Sequence, residues 1–81
     1  MIITLRQLKH LIILSEEGHF SLAADRLALT QPALSPSIKP IEDAYGVRLI
    51  DRDRAGSVLT RAGEEVVRLA RVTLQNVAHL D

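Results

Sequence analysis

The 81-residue chain has no cysteine and no tryptophan, and only one phenylalanine and one tyrosine. Without cysteine it can form neither disulfides nor thiolate metal sites, which fits a reducing compartment. Its longest apolar run near the N-terminus, residues 11–14, is too short for a signal-peptide core, and no stretch approaches a membrane span. These absences predict one cytoplasmic domain.

An excess of either charge is also missing, because ten Lys and Arg side chains balance ten Asp and Glu side chains. Nucleic-acid-binding domains are usually basic overall, so this balance argues against such a partner. The distribution of charge matters more than its sum. Residues 26–41 contain two basic residues and no acidic one, and six arginines lie between residues 48 and 71. A locally positive face is therefore compatible with the composition.

No catalytic or metal-binding set can be assembled from the sequence. His10, His19 and His79 are scattered, and no carboxylate or thiol lies at ligand spacing from them. No catalytic acid pair, nucleophile with a base, or glycine-rich phosphate loop can be assembled from the sequence. We therefore expect no enzymatic activity, no metal and no cofactor.

Residues that cap or end helices recur along the chain. The predicted caps are Thr4 (a capping box with Gln7), Ser21, Thr30 and Thr60, and the predicted glycine stops are Gly18 and Gly46. The middle of the chain then forms a helix over 22–28, a turn at 29–30 and a helix over 31–45. That order is a helix-turn-helix, whose second helix is built to enter a DNA major groove.

Two short strand candidates, 48–51 and 57–59, follow this motif and predict a small hairpin, or wing. A final helix runs from about residue 61 to the end. The predicted fold is mainly α: a winged helix-turn-helix with three helices, a short β-hairpin wing and a long C-terminal linker helix. Residues 1–60 form the DNA-binding domain in this interpretation, and residues 61–81 form the linker and dimerisation helix.

Three prolines stand in the third helix. Pro32 is harmless, because a first-turn N–H has no helical partner. Pro36 and Pro40 would each cost roughly 3 kcal/mol in a straight helix interior. The expected core stripe of this helix is Leu34, Ile38, Ile41 and Tyr45. The prolines then point outward, and we predict one bent or locally widened helix. The alternative is a turn at 31–35 with a helix that restarts near Ser37.

The last helix is too apolar for a surface element. Val66 and Leu69 are expected to pack on the domain's own core. A second stripe is predicted to contact another subunit, and it consists of Val67, Ala70, Leu74 and Val77. The alternative is that another domain of a longer chain covers this stripe.

The segments LRQL, EEGHFSLAADRLALTQPALS, GVRLIDR and LTRAG occur in an order and at spacings that resemble the winged helix-turn-helix of LysR-type transcriptional regulators, over roughly residues 5–77. The resemblance implies a bacterial, dimeric domain that binds a specific inverted repeat in double-stranded DNA. In such proteins a linker helix leads to a larger effector-binding domain. That domain is not in these 81 residues, so a small-molecule effector is expected to act only through it.

By the same resemblance, the start of the third helix touches bases and phosphates, and the wing approaches phosphates. The expected DNA contacts are Thr30, Gln31, Pro32, Ser35, Pro36, Lys39, Arg52, Arg54 and Thr60. Their chemistry suits the role, since Gln pairs with adenine, Pro contacts a thymine methyl and Ser or Arg binds phosphate.

The chain departs from the family pattern at several places. Pro36 stands where the family usually has Arg, and Pro40 where it has a helix-compatible residue, often basic. Leu22 replaces a small polar residue, and Ile50 replaces a wing Phe. Other interpretations of the site residues remain: Gln31 as a solvated first-turn residue, Lys39 as an ordinary exposed lysine, and the wing arginines paired with Asp51 and Asp53. The alternative function is a winged-helix module for dimerisation or protein interaction that has lost DNA reading.

Overall fold

A computed structural model describes residues 3–53 and 56–80. The elements are, in chain order, α1 (Leu5–Glu17), α2 (Phe20–Arg26), α3 (Gln31–Tyr45), β1 (Ile50–Asp53), β2 (Gly56–Leu59) and α4 (Arg61–Ala78). The two strands pair antiparallel, with Ile50 opposite Leu59. The predicted winged helix-turn-helix is therefore confirmed. No helix within the described ranges combines the length and the apolar character needed to cross a membrane.

Most helix boundaries lie where the cap residues placed them. Thr4 and Gln7 form the predicted capping box: the Gln7 N–H donates to Thr4 Oγ1 at 3.1 Å and the Thr4 N–H to Gln7 Oε1 at 2.9 Å. The hydroxyl of Thr30 accepts from the N–H of Ala33 at 3.3 Å. α1 and α3 end at glycines with φ of 74° and 69°, which only glycine adopts at little cost.

Two local predictions were wrong. Ser21 does not cap α2, which begins one residue earlier at Phe20 and has His19 as a cap residue without a side-chain hydrogen bond. β1 begins at Ile50 and not at residue 48. The carboxylate of Glu42 explains the later start, because it accepts from the Leu49 N–H at 2.8 Å and ties that residue to α3.

The core is built around α1, which packs against α2, α3 and α4. Residues 10–14 are buried in succession, because neighbours surround that turn of the helix on all sides. α3 contributes three buried residues to this core, Leu34, Ile38 and Ile41. The prediction for Tyr45 was wrong: it is 53% exposed, because α3 extends past the core and residues 45–48 are all exposed.

α3 is one continuous helix from Gln31 to Tyr45 although it contains Pro36 and Pro40. A helix restarting near Ser37 is therefore not formed. Pro36 is exposed and Pro40 is half-buried, while the core residues of α3 lie on its other side. The prolines thus interrupt hydrogen bonds mainly on the face that water or a partner can reach.

The packing of α4 differs from the prediction. Val67 and Ala70 were expected at a subunit interface, yet they are 6% and 2% exposed in the domain's own core, together with Val66. Leu69 was expected in the core and is 44% exposed. The reason is the orientation of α4, which turns the stripe of Val66, Val67 and Ala70 toward α1 and leaves Leu69 outside.

Candidate nucleic-acid interface

The predicted contact residues around the start of α3 share one accessible surface. The exposed members of this set are Thr30, Gln31, Pro32, Ser35, Pro36 and Lys39. The opposite side of the helix is anchored in the core by Leu34, which is fully buried. Cap and core together hold this exposed face in a fixed orientation, which a surface that recognises a rigid partner needs.

The wing brings Arg52 to the same surface. Its guanidinium carbon lies 3.6 Å from the ring centre of Phe20, the first residue of α2. Arg52 lines a cleft of about 190 Å³ together with Ser35 and Lys39. A second cleft, of about 210 Å³, has Arg52 and Gln31 in its wall. The fold therefore assembles side chains from α3 and β1 that are 13 to 21 residues apart in sequence.

The turn end of the wing is fixed against the turn between α1 and α2. The N–H of Ser57 donates to the carbonyl of Gly18 at 2.7 Å. Gly56 has a φ of 142°, and a Cβ at this residue would lie 2.6 Å from the same carbonyl oxygen. This close approach requires glycine. The hairpin is therefore held beside α2 by its backbone.

The predicted contact Arg54 lies outside the described residues. The hydroxyl of Thr60, another predicted contact, is used within the domain. Thr60 is half-buried, and its hydroxyl donates to the carbonyl of Arg48 at 2.7 Å while it accepts from the Gly63 N–H at 3.0 Å. A hydroxyl has a single hydrogen, so in this geometry Thr60 cannot donate to a phosphate. Thr60 thus links Arg48, ahead of β1, to the first turn of α4, and its predicted contact with DNA stays a prediction.

The lining of the first cleft beside α3 is positive on balance, because it holds Lys39, Arg48 and Arg52 against one carboxylate, Glu42. Glu16 binds Arg26 at 2.7 Å and Arg71 at 2.9 Å, away from this surface, and these hydrogen bonds lower the pKa of the Glu16 carboxyl. Lys39 meets Asp43 at 3.4 Å, but both side chains are so exposed that water screens the pair. Arg52 has no ion pair among the described side chains, so the predicted alternative of pairing with Asp51 is not adopted.

The family of the chain follows from comparison with known proteins. The family model for bacterial regulatory helix-turn-helix proteins of the lysR family matches residues 5–64. The chain belongs to the LysR family. It is 48% identical over 67 residues to the SDS degradation transcriptional activation protein of a Pseudomonas species, covering 83% of this chain and 22% of that protein. With the HTH-type transcriptional regulator EstR of Acinetobacter baylyi it shares 46% over 77 residues, or 95% of this chain and 26% of EstR.

Solved structures of LysR-family proteins have the same fold. The CbnR_DBD–DNA complex superposes with a TM-score of 0.89 at 34% identity, covering 94% of this chain and 87% of that one. The complex of BenM_DBD with catB site 1 DNA gives 0.88 at 32% identity, with 95% and 86% covered. This chain spans about a quarter of the length of the curated relatives named above.

Three residues of this LysR-family surface escaped the sequence analysis. Arg48 lines the first cleft, Phe20 supports Arg52, and Glu42 ties α3 to the start of β1. Arg48, the first of the two arginines in GVRLIDR, was a visible signal for a cation beside the wing. The other two act across elements, so spacing along the chain gave no sign of them. No group of three metal-ligating side chains is found in the described ranges.

α1 also holds α3 by a polar contact, from His10 Nδ1 to Ser37 Oγ at 2.8 Å. His10 is 6% exposed. Burial, with smaller contributions from the cations Arg6 and Lys9, lowers the pKa of His10 below its ordinary value. The native state therefore favours the neutral imidazole, while the unfolded chain takes up a proton near its usual pKa of about 6.5.

Acidification should destabilise the domain through His10. As pH falls below about 6.5, the unfolded state binds a proton before the native state does, so the free energy of unfolding decreases until the native pKa is passed. Above that window this contribution is constant. Urea unfolding at pH 7.5 and pH 5.5 measures the difference, and His10→Gln, which cannot titrate, is the matched control. An equal pH dependence in both proteins would contradict this prediction.

Proposed function

We propose that the chain is the sequence-specific, double-stranded-DNA-binding domain of a bacterial transcriptional regulator. In this proposal α3 enters the major groove and the β1–β2 wing lies on the sugar-phosphate backbone. One observation carries it: Gln31, Ser35, Lys39 and Arg52 meet on one exposed surface of a LysR-family fold. The two DNA complexes with this fold support it, and a module limited to protein interaction has no comparable support.

The proposed contacts divide into base reading and positioning. Gln31, Pro32 and Pro36 face base edges, and Ser35, Lys39 and Arg52 face phosphates, with Thr30 capping α3 beside the backbone. Thr30 accepts from Ala33 through its oxygen, which leaves its hydroxyl hydrogen for a phosphate. Stacking on Phe20 restricts the conformations of the Arg52 side chain before DNA binds, so less conformational entropy is lost when it contacts a phosphate.

Replacing Arg52 with alanine should weaken binding to all duplexes alike. Without this phosphate contact, binding releases one counterion fewer. The slope of log K against log salt should therefore become shallower by about one unit. Fluorescence anisotropy at several salt concentrations measures that slope. Arg68→Ala is the control, because Arg68 pairs with Glu65 at 2.6 Å on α4. An unchanged slope for Arg52→Ala would remove the wing from the interface.

We also propose that α4 is a linker helix through which two copies associate, so that two copies of α3 reach half-sites about 34 Å apart on an inverted repeat. The exposed apolar side chains of α4 support this, and within the described residues they are Leu69, Val72 and Val77, with Leu80 just past the end of the helix. Of the interface first predicted, Val77 belongs to this set and Leu74 is half-buried beside it.

Leu69→Asp should shift the chain toward monomer in analytical ultracentrifugation. Leu69 is exposed, so its replacement tests association without disturbing the core, whereas Leu74 packs partly against the core. Val58→Asp is the matched control, because Val58 is 58% exposed on the wing. A persistent dimer in Leu69→Asp would place the subunit contact elsewhere.

The remaining parts of the proposal concern the whole protein. The relatives named above are regulators, and we assign the chain no catalytic activity or cofactor. We place the protein in the cytoplasm, where its DNA is. Residues 1–60 are the DNA-binding unit and 61–81 the linker helix, and a small-molecule effector would bind outside these 81 residues.

A further inference from the structure

Prolines form a ridge along the exposed side of α3. Pro32, Pro36 and Pro40 are spaced four residues apart, so they lie on the same side of the helix. Pro32 and Pro36 are exposed, and Pro40 is half-buried. The centre of the proposed DNA face is therefore an apolar pyrrolidine ring, at the position where the family resemblance places an arginine.

The ridge also changes the hydrogen-bonding character of this face. Pro36 has no N–H, so the carbonyl of Pro32 lacks the donor that a helix normally supplies four residues later, and the carbonyl of Pro36 lacks the one from Pro40. Both carbonyls remain acceptors. The nearest cation on α3 is Lys39, and its Nζ lies 3.4 Å from Asp43 Oδ1. Position 36 itself thus offers an apolar ring beside backbone acceptors but no donor.

The base pairs differ in how they meet such a surface. In the major groove guanine presents two acceptors, N7 and O6, which a donor such as arginine would bind and which carbonyl oxygens repel. Thymine presents a C5-methyl group, which packs on an apolar ring, and adenine beside it presents an amino donor. Cytosine has a donor but no methyl group. An A·T pair is therefore the best match.

We propose that Pro36 makes the centre of α3 select an A·T pair, through contact between its ring and the thymine methyl group. This inference rests on the proposed function, because it requires α3 in the major groove. It gives Pro36 a role in specificity, whereas comparison with the family's arginine alone would suggest only that a contact to a phosphate or a base is lost. It also predicts that the preferred base pair changes when Pro36 is replaced by arginine.

The test begins with selection from duplexes that carry a random core, using the 81-residue chain, Pro36→Arg, and Gln75→Arg as a control that adds the same charge on α4. Wild type and control should enrich one motif with an A·T pair opposite Pro36. Pro36→Arg should enrich G·C at that pair and leave the other positions unchanged. All three proteins should fold alike, since position 36 and position 75 are exposed.

A second measurement isolates the methyl group. Replacing the thymine of that pair with deoxyuridine should weaken wild-type binding about fourfold, the equivalent of one buried methyl group. It should not weaken binding of Pro36→Gly, which has no side chain to contact the methyl group. A wild-type motif that is insensitive to this replacement, or an unchanged base preference in Pro36→Arg, would overturn the inference and leave DNA binding intact. Failure of wild type to enrich any motif would overturn the proposed function itself.

Discussion

Gly63→Ala should strongly destabilise the domain. Gly63 lies in the first turn of α4, and a Cβ at this residue would overlap the carbonyl oxygen of Leu49 and meet Leu59 Cδ2 at 3.1 Å. The Leu49 backbone cannot move away freely. Its carbonyl accepts from the Thr60 N–H at 2.9 Å, and its N–H donates to Glu42 at 2.8 Å.

The expected cost is about 3 kcal/mol or more, the upper part of the range for overpacked cores. A domain of this size is stable by roughly 4–12 kcal/mol, so such a loss is large. Urea unfolding followed by circular dichroism measures it. Gly46→Ala is the matched control: nothing lies within 4 Å of its added Cβ, but its φ of 69° should still cost about 1 kcal/mol. Equal stability of the two variants would show that the contact at Gly63 relaxes.

Gln31→Ala should relax sequence preference at a single base pair and leave the fold intact. Gln31 is exposed at the first position of α3, so its removal disturbs no core contact. A glutamine amide there can donate and accept at once, which matches adenine N6 and N7 in the major groove. Loss of that pair of hydrogen bonds should cost about 1–3 kcal/mol against the preferred base and almost nothing against the others.

Competition binding against a set of duplexes, each with one base pair changed, resolves this effect. Gln75→Ala is the control, because Gln75 is an exposed glutamine on α4. If affinity for every duplex fell by the same factor, Gln31 would be a backbone contact. If no affinity changed, Gln31 would be a solvated first-turn residue, which is the other interpretation that the sequence left open.

Local chemistry made much of the fold predictable. A threonine cap or a glycine stop acts within one turn, so Thr4, Gly18, Thr30 and Gly46 placed the ends of α1 and α3 correctly. The exposed residues at the start of α3 followed from the same boundaries. The predicted continuity of α3 through its prolines was correct because the buried residues all lie on the other side of the helix.

The failures share a physical cause, which is dependence on distant neighbours. α4 carries apolar residues on two stripes, and periodicity alone cannot tell which stripe turns toward α1. The prediction therefore placed Leu69 in the core and Val67 on the surface, whereas the structure buries Val67 and exposes Leu69. The start of β1 depends on the side chain of Glu42, eight residues earlier on α3. The support that Phe20 gives Arg52 crosses two elements and leaves no local pattern.

The measurement that tests the central claim most directly is a titration of the 81-residue chain with two duplexes of equal length, at about 50 and 200 mM salt. One duplex carries the inverted repeat enriched by selection, and the other carries the same bases in scrambled order. The proposed function predicts weaker binding to both duplexes at the higher salt concentration and a clear preference for the inverted repeat at both. Equal affinity for the two duplexes, or no binding to either, would contradict it.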